Sequence, residues 1–386
     1  MNKIFSCLMA LLVVSAAFSQ TKVPVFVSGQ DGHQSYRIPA IIAAPNGDLL
    51  AFCEGRVHHA GDFGDINIVM KRSVNGGKTW SDLQTVVDYD TLQAGNPAPV
   101  VDRTDPEYPG GRIFLFYNTG DNHEGEVRKG NGLREVWYKT STDNGNSWSD
   151  PVNITMQTHR PKQPQRNAAY NFPEDWRSYA NTPGHAMQFA SGKFKGRIFV
   201  AANHSAGAPQ NAFMDYAAHG YFTDDHGKSF HLSENVIFPG GNESTAAELS
   251  DSRLMMNSRN QRGDVRARIV SVSSDGGATW DTSYFDKILI DPVNEGSLLT
   301  IGRKKGRNIM AFSNTADTQR RDNLTLRISY DDGHTWKKSI TVDKSPDNKG
   351  DYTAYSDLVA IGKKRVGILY ESEGYKKIVF SVIKWR

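Results

Sequence analysis

Apolar positions along this chain recur at period two, in short runs, and the runs come in sets. Alternating or β-branched stretches (INIVMKR, EVWYKTS, HGYFTDD, ARIVSVS, LTLRISY) each lead into a polar turn. A further pair of apolar runs divided by a turn precedes each of them. IPAIIAA and DLLAFCE flank PNG in the first set, GRIFLFYN and GRIFVAAN stand in the second and third, TAAELSDSRLMMNSR opens the fourth, and GSLLTIGRKKGRNIMAFSN opens the fifth. A sixth set, SDLVAIGKKRVGILYES with KKIVFSVIKW, ends the sequence. Period two predicts strands, and no stretch sustains a helical period.

The polar turns are copies of one pattern. Ser73 to Trp80, Ser141 to Trp148, Thr223 to Phe230, Ser273 to Trp280 and Ser329 to Trp336 all fit S/T-x-D/N-x-G-x-S/T-aromatic. The Asp or Asn side chain can accept from nearby backbone N–H groups and start a turn. The Gly supplies the positive φ of a tight hairpin. The hydroxyls tie the two arms, and the aromatic anchors the hairpin on the body of the fold. The first copy carries Asn75 where the others have Asp, and the third ends in Phe230. Repeated four-stranded units of roughly 40 to 80 residues predict a propeller. The expected fold is all-β, a six-bladed β-propeller with Asp-box turns, in which residues 22 to 30 close the ring against the last blade.

Residues 1–20 read as a secretory signal peptide: Met-Asn-Lys, an apolar run too short to cross a bilayer, then Ser19 and Gln20. Cleavage is expected between Ala17 and Gln20, giving a protein that is secreted, periplasmic or held at the cell surface. Cys7 stands too close to Lys3 for a lipid-anchor reading. Without the leader only Cys53 remains, so no internal disulfide is possible. Residues 21–386 read as one domain, because no Pro/Ser-rich linker divides them. A net charge of +3 and a pI of about 8.6, with no Lys/Arg run, give no support for nucleic acid as a partner.

At Tyr36-Arg37-Ile38-Pro39 the chain becomes specific. YRIP together with the five Asp-box turns resembles the sialidase (neuraminidase) family of exo-acting glycoside hydrolases, over essentially the whole of residues 21–386. The substrates that the resemblance implies carry a carboxylate on the anomeric carbon. Arginine suits that group, since its planar fork gives two charge-assisted hydrogen bonds and stays protonated. The resemblance places a three-arginine clamp at Arg37, Arg259 and Arg321. Arg320 competes for the third place, and Arg253, Arg262 and Arg266 for the second. Glu371 in GILYESE matches the carboxylate that braces the first arginine. Arg56 resembles a further arginine that contacts the sugar ring.

The acid/base role falls to the loop Gly61-Asp62-Phe63-Gly64-Asp65. Asp62 takes the family's position, and Asp65 abuts the next strand. A general acid must hold its proton until it acts, so a raised pKa is expected for Asp62. Tyr355 in DYTAYSDL matches the family's nucleophile, with Tyr352 as its neighbour and competitor. Sialidases with a tyrosine nucleophile are an exception to the two-carboxylate rule of glycosidases. A neutral tyrosine avoids like-charge repulsion with the substrate carboxylate, provided a base takes its proton. Glu243 matches that base, and Glu248 competes. His58 and His59 read as loop residues, because nothing has metal-ligand spacing.

The resemblance therefore implies hydrolysis of terminal sialic acids from glycans, glycoproteins or glycolipids with retention, by a monomer with no cofactor and no metal. Transfer to another glycan, or an intramolecular anhydro product, uses the same residues. A non-catalytic lectin is expected to lose the acid, nucleophile or base. The segment 157 to 189 reads as a rim insertion containing Thr182-Pro183-Gly184-His185.

Overall fold

The computed structural model describes residues 21–386, and the expected leader lies outside the described residues. These residues form 25 strands, two short helices (Glu124–Arg128 and Thr155–Thr158) and two three-residue 3-10 turns. The all-β propeller is present, and its sheets are antiparallel hairpin stacks. The sheet Gly241–Glu248, Leu254–Asn260, Ala267–Ser273 and Thr282–Ile290 is representative. Its inner strands are almost wholly buried, whereas Thr282–Ile290 is largely open to solvent. Inner strands pack against neighbouring sheets on both faces, so they tolerate little polarity that is not hydrogen-bonded.

The count of six separate blades is corrected by the strand pairing. Four sheets have four or five strands each, and one has eight. In the eight-stranded sheet the first two repeat sets are joined by one parallel pair, Ile66 opposite Gln93. The joint forms because Ile66–Ser73, the third strand of the first set, starts beside Gln93–Asp102, the first strand of the second. Lys22–Val27 pairs antiparallel with Lys377–Lys384, so the beginning of the described chain completes the sheet made by its end.

All five Asp-box turns share one hydrogen-bond pattern. In the second box Ser141 Oγ donates to Asp143 Oδ1 at 2.8 Å, and the Gly145 N–H donates to Ser141 Oγ at 2.8 Å. Ser147 N–H and hydroxyl then reach the same carboxylate at 2.9 and 2.5 Å. Asn75 substitutes in the first box: its carbonyl accepts from the Lys78 and Thr79 N–H groups at 3.1 and 3.0 Å, while its amide donates to Thr79 Oγ1 at 2.8 Å. Gly77 has φ +86°, and a Cβ there would lie 2.0 Å from the Phe380 ring. Trp80 packs edge-on against that same ring, which fastens the first box to the last sheet.

The segment 157 to 189 is more than a rim loop. Its strand Trp176–Asn181 pairs with Ile198–Ala206, and Met187–Gln188 joins the same strand further along. Between them His185 is fixed in the core: its Nδ1 lies 2.6 Å from Asp357 Oδ1, and its N–H donates to Asp357 Oδ2 at 2.9 Å. Asp357 also accepts from the Ile41 N–H and the Ser297 hydroxyl. One buried carboxylate thus links the inner strands of three sheets and the loop that carries His185.

Candidate active site

A cavity of about 200 Å³ opens where the strand ends converge. Its walls include Arg37, Arg56, Asp62, Glu243, Arg259, Arg321 and Tyr355. Of the eight residues expected from sequence, these seven line the cavity directly. The eighth, Glu371, stands fully buried behind it.

Arg37 lies on the strand Ser35–Ala43, early in the first repeat set. Its Nε donates to Glu371 Oε1 at 2.6 Å, and the Ile38 N–H donates to the same oxygen at 3.0 Å. The other Glu371 oxygen accepts from the Tyr355 N–H at 3.2 Å. Burial works against the Arg37 charge, but the Glu371 carboxylate outweighs it and raises the pKa. Arg259 is the penultimate residue of Leu254–Asn260 and is balanced in the same way by Glu243 at 2.6 Å. Arg321 lies between the strands Arg307–Thr315 and Leu324–Ser329, and its Nη1 donates to the Tyr375 hydroxyl at 3.4 Å.

Tyr355 is the meeting point. Its hydroxyl donates to Glu243 Oε1 at 2.5 Å and accepts from Arg259 Nη1 at 3.0 Å. The Arg37 and Arg321 guanidinium carbons lie 5.4 and 5.6 Å from its ring centre. Burial first, and then the Glu243 carboxylate, push the phenol pKa well up, and the three arginines offset this only in part. The phenol is therefore a neutral hydroxyl aimed at a base.

Asp62 departs from expectation in one respect. Partial burial acts to raise its carboxyl pKa, but Arg56 and then Arg37 outweigh this and hold it below the ordinary value. The cause is direct: Arg56 Nη1 donates to Asp62 Oδ1 at 2.7 Å. The Asp62 side chain is 67% exposed, so water screens part of this attraction. Arg56 itself is buried and gripped by Glu54 Oε2 at 2.7 and 3.1 Å.

The competing residues are engaged elsewhere. Asp65 faces His58 at 3.7 Å. Glu248 accepts from Ala190 N–H and Ser191 Oγ at 2.7 and 2.6 Å. Arg320 is tied to Asp317 and the Asn348 carbonyl, Arg253 to Asp251 and Arg262 to Asp264. Neither Arg266 nor Tyr352 is in the cavity wall.

Sequence reasoning missed Glu54, Gln93, Glu124 and Arg134 in the wall, and Tyr375 beside Arg37 at 4.3 Å. Glu54 was open to detection, since residues two apart on a strand share a face. Among the described residues one group has metal-ligand proximity: Asp102, Asp105 and His226. It is already paired internally, Asp105 with Arg112 at 2.6 Å and Asp102 with His226 at 2.7 Å, and it is not part of the cavity wall.

Residues 47–368 match the family described as BNR repeat-like domain. A sialidase of Micromonospora viridifaciens is 30% identical over 369 residues, covering 91% of this chain and 52% of that protein. An exo-alpha-sialidase of Arthroderma benhamiae is 29% identical, covering 89% of this chain and 80% of the relative. The chain thus spans about half the length of the Micromonospora relative. Among solved structures, the Hadza microbial sialidase Hz136 superposes with a TM-score of 0.76 at 26% identity, over 92% of this chain and 67% of that one. An intramolecular trans-sialidase from Ruminococcus gnavus superposes at 0.72 with 17% identity, over 94% of this chain and 97% of that one, a likeness of fold alone.

Proposed function

The chain belongs to the exo-alpha-sialidase family built on the BNR repeat-like domain, and from that premise we propose that it hydrolyses terminal α-linked sialic acids from glycoconjugates with retention of configuration. The observation that carries this reading is the Tyr355 hydroxyl, 2.5 Å from Glu243 and 3.0 Å from Arg259 in a cavity shared with Asp62, Arg37 and Arg321.

In this mechanism Arg37, Arg259 and Arg321 hold the substrate carboxylate, each through its planar fork. Glu243 takes the Tyr355 proton as the phenolic oxygen attacks the anomeric carbon, so no anion approaches the carboxylate. Asp62 gives a proton to the leaving oxygen and later takes one from the attacking water. The Asp62–Arg56 pair keeps the carboxylate ionised, so the acid role requires substrate to draw Asp62 away from Arg56. Secretion of a mature domain at 21–386, acting as a monomer without a cofactor, completes the proposal.

The test is release of a fluorogenic aglycone from an α-linked N-acetylneuraminic acid conjugate, with Tyr355→Phe and Asp62→Ala beside the wild type. Loss of general acid–base or nucleophilic assistance is expected to cut turnover by about 10²–10⁴-fold. Retained binding without wild-type turnover would refute hydrolysis and leave a lectin. Chromatography of the product separates free sugar from a transferred or anhydro product.

A further inference from the structure

The inner strands run from the catalytic cavity to the opposite face of the ring. On the strand Ser35–Ala43, Arg37 lines the cavity, whereas Ile42 lines a second opening on the far side. Glu243 and Ala247 are divided in the same way, as are Tyr355 and Val359. At roughly 3.3 Å of rise per residue, each pair is separated by about 13–17 Å. The far opening has a volume of about 670 Å³ and is apolar, with Val101, Met187 and Leu299 beside the residues just named.

Two hairpin turns beside that opening are basic. Thr300 and Ala360 stand in its wall, and the turns 302–307 and 362–365 follow directly after them. The first turn presents Arg303, Lys304, Lys305 and Arg307, and the second Lys363, Lys364 and Arg365, all of them exposed. Arg307 approaches Asp332 at 4.0 Å, and the others pair with no carboxylate among the described residues. Neither turn is long. The strands that lead into them, Gly296–Lys304 and Ser356–Ile361, pack against each other, so the fold sets the two turns side by side.

On the outer side of the second turn lies another apolar pocket, of about 790 Å³, with Val23, Ile340, Phe380 and Val382 in its wall. Lys78, Arg365, Lys384 and Arg386 also line it, and none of the four pairs with a carboxylate among the described residues. A line of rings joins this pocket to the first turn. Lys304 Nζ lies 5.9 Å from the Tyr330 ring centre, the Tyr330 and Trp385 rings are 6.4 Å apart, and the Arg386 guanidinium carbon lies 4.5 Å from the Trp385 ring centre. Exposed like charges gathered without counter-charges repel one another and weaken the fold, so the patch points to an anion from outside. Cations alone suit any polyanion. Cations beside two apolar pockets of ligand size suit an anionic amphiphile.

We propose that this face, opposite the catalytic cavity, is a docking surface for an anionic lipid bilayer. The turns 302–307 and 362–365, with Lys78, Lys384 and Arg386, meet the headgroups. The apolar pockets on either side of the turn 362–365 take acyl chains from the bilayer surface. Each Lys or Arg near such a surface strengthens binding by roughly fivefold. No helix among the described residues is long and apolar enough to cross a membrane, and the contact proposed is with the bilayer surface. The cavity, at the other ends of the same strands, then faces away from the lipid. Its substrates come from solution or from another surface, and not from the bilayer that holds the protein.

The experiment is cosedimentation with vesicles of phosphatidylcholine alone and of equal parts phosphatidylglycerol and phosphatidylcholine, at physiological ionic strength. Wild type is expected to bind the mixed vesicles about 10²-fold or more tightly than the neutral ones, and to be released as salt is raised. The triple variant Lys363→Gln, Lys364→Gln, Arg365→Gln is expected to weaken that binding by about 10²-fold, and Lys304→Gln with Lys305→Gln in the other turn by about twenty-fivefold. Neither variant touches the cavity, so turnover of the fluorogenic ketoside stays at the wild-type level in both, and in wild type bound to vesicles. Equal binding to the two kinds of vesicle overturns the proposal, as does unchanged binding in both folded variants. Dextran sulfate bound as tightly as mixed vesicles of matched charge overturns the lipid reading, because it offers no acyl chain. Turnover lost on vesicles by an otherwise active protein overturns the orientation. Sedimentation needs no turnover, so a protein that binds as expected and cleaves nothing refutes hydrolysis and leaves the docking surface standing.

Discussion

Replacing Glu371 with glutamine keeps the shape of a fully buried side chain and removes its charge. The carboxylate accepts from Arg37 Nε at 2.6 Å, Ile38 N–H at 3.0 Å and Tyr355 N–H at 3.2 Å. An amide has one accepting oxygen, so its NH₂ must face either Arg37 or the Tyr355 N–H, donor against donor. Removing one partner of a buried ion pair costs about 3–5 kcal/mol. Arg37 keeps some favourable surroundings, with Tyr375 and Tyr355 rings at 4.3 and 5.4 Å and a side chain 12% exposed. Cation–π contacts of that kind are worth about 1 kcal/mol each at partly exposed sites, which puts the cost near the lower bound, about 3 kcal/mol. Urea denaturation reads the stability loss. The guanidinium also loses the group that aims it, and misplacement by about 1 Å costs roughly 10²-fold, so kcat/KM on the fluorogenic ketoside falls by about that factor. A Glu371→Gln protein within about 0.5 kcal/mol of wild type, a typical value for neutral surface changes, and with undiminished kcat/KM would show that Glu371 does not brace the clamp.

Two further predictions concern the turns. Partial burial tends to raise the Asp143 carboxyl, but bonds from the Ser147 hydroxyl and N–H outweigh it and lower the pKa to about 2. Because the folded value is depressed, this contribution is complete above the ordinary pKa near 4 and is lost as pH falls through about 2. Asp143→Asn mimics the natural Asn75 box, so it is expected to fold, to cost about 1 kcal/mol at neutral pH, and to flatten acid melting between about pH 4 and pH 2; a melt with the wild-type acid slope would contradict this. Gly77→Ala places a methyl against Phe380 at a positive φ and is expected to destabilise by about 2–4 kcal/mol, whereas Gly29→Ala, with nothing within 4 Å of its added Cβ, pays only the backbone strain of about 1–2 kcal/mol; equal melting temperatures would refute the packing argument.

The sequence by itself determined the strands, the turns and most of the chemistry-bearing residues, because these depend on local rules. Period-two apolar runs can bury one face only as strands, and S/T-x-D/N-x-G closes its own hydrogen bonds within five residues. YRIP and its distant partners carried seven residues into one cavity on resemblance, although Arg37 and Tyr355 stand far apart in the chain. Local rules do not fix relations between distant segments. Strand pairing alone decided that the first two sets share one sheet, through one parallel pairing of Ile66 with Gln93. The ionisation of Asp62 was not legible, because a pKa follows the distance to Arg56 and no residue type states a distance. Arg134 carries no mark in the sequence; only closure of the ring set it, buried, in the cavity wall with Glu54 and Glu124.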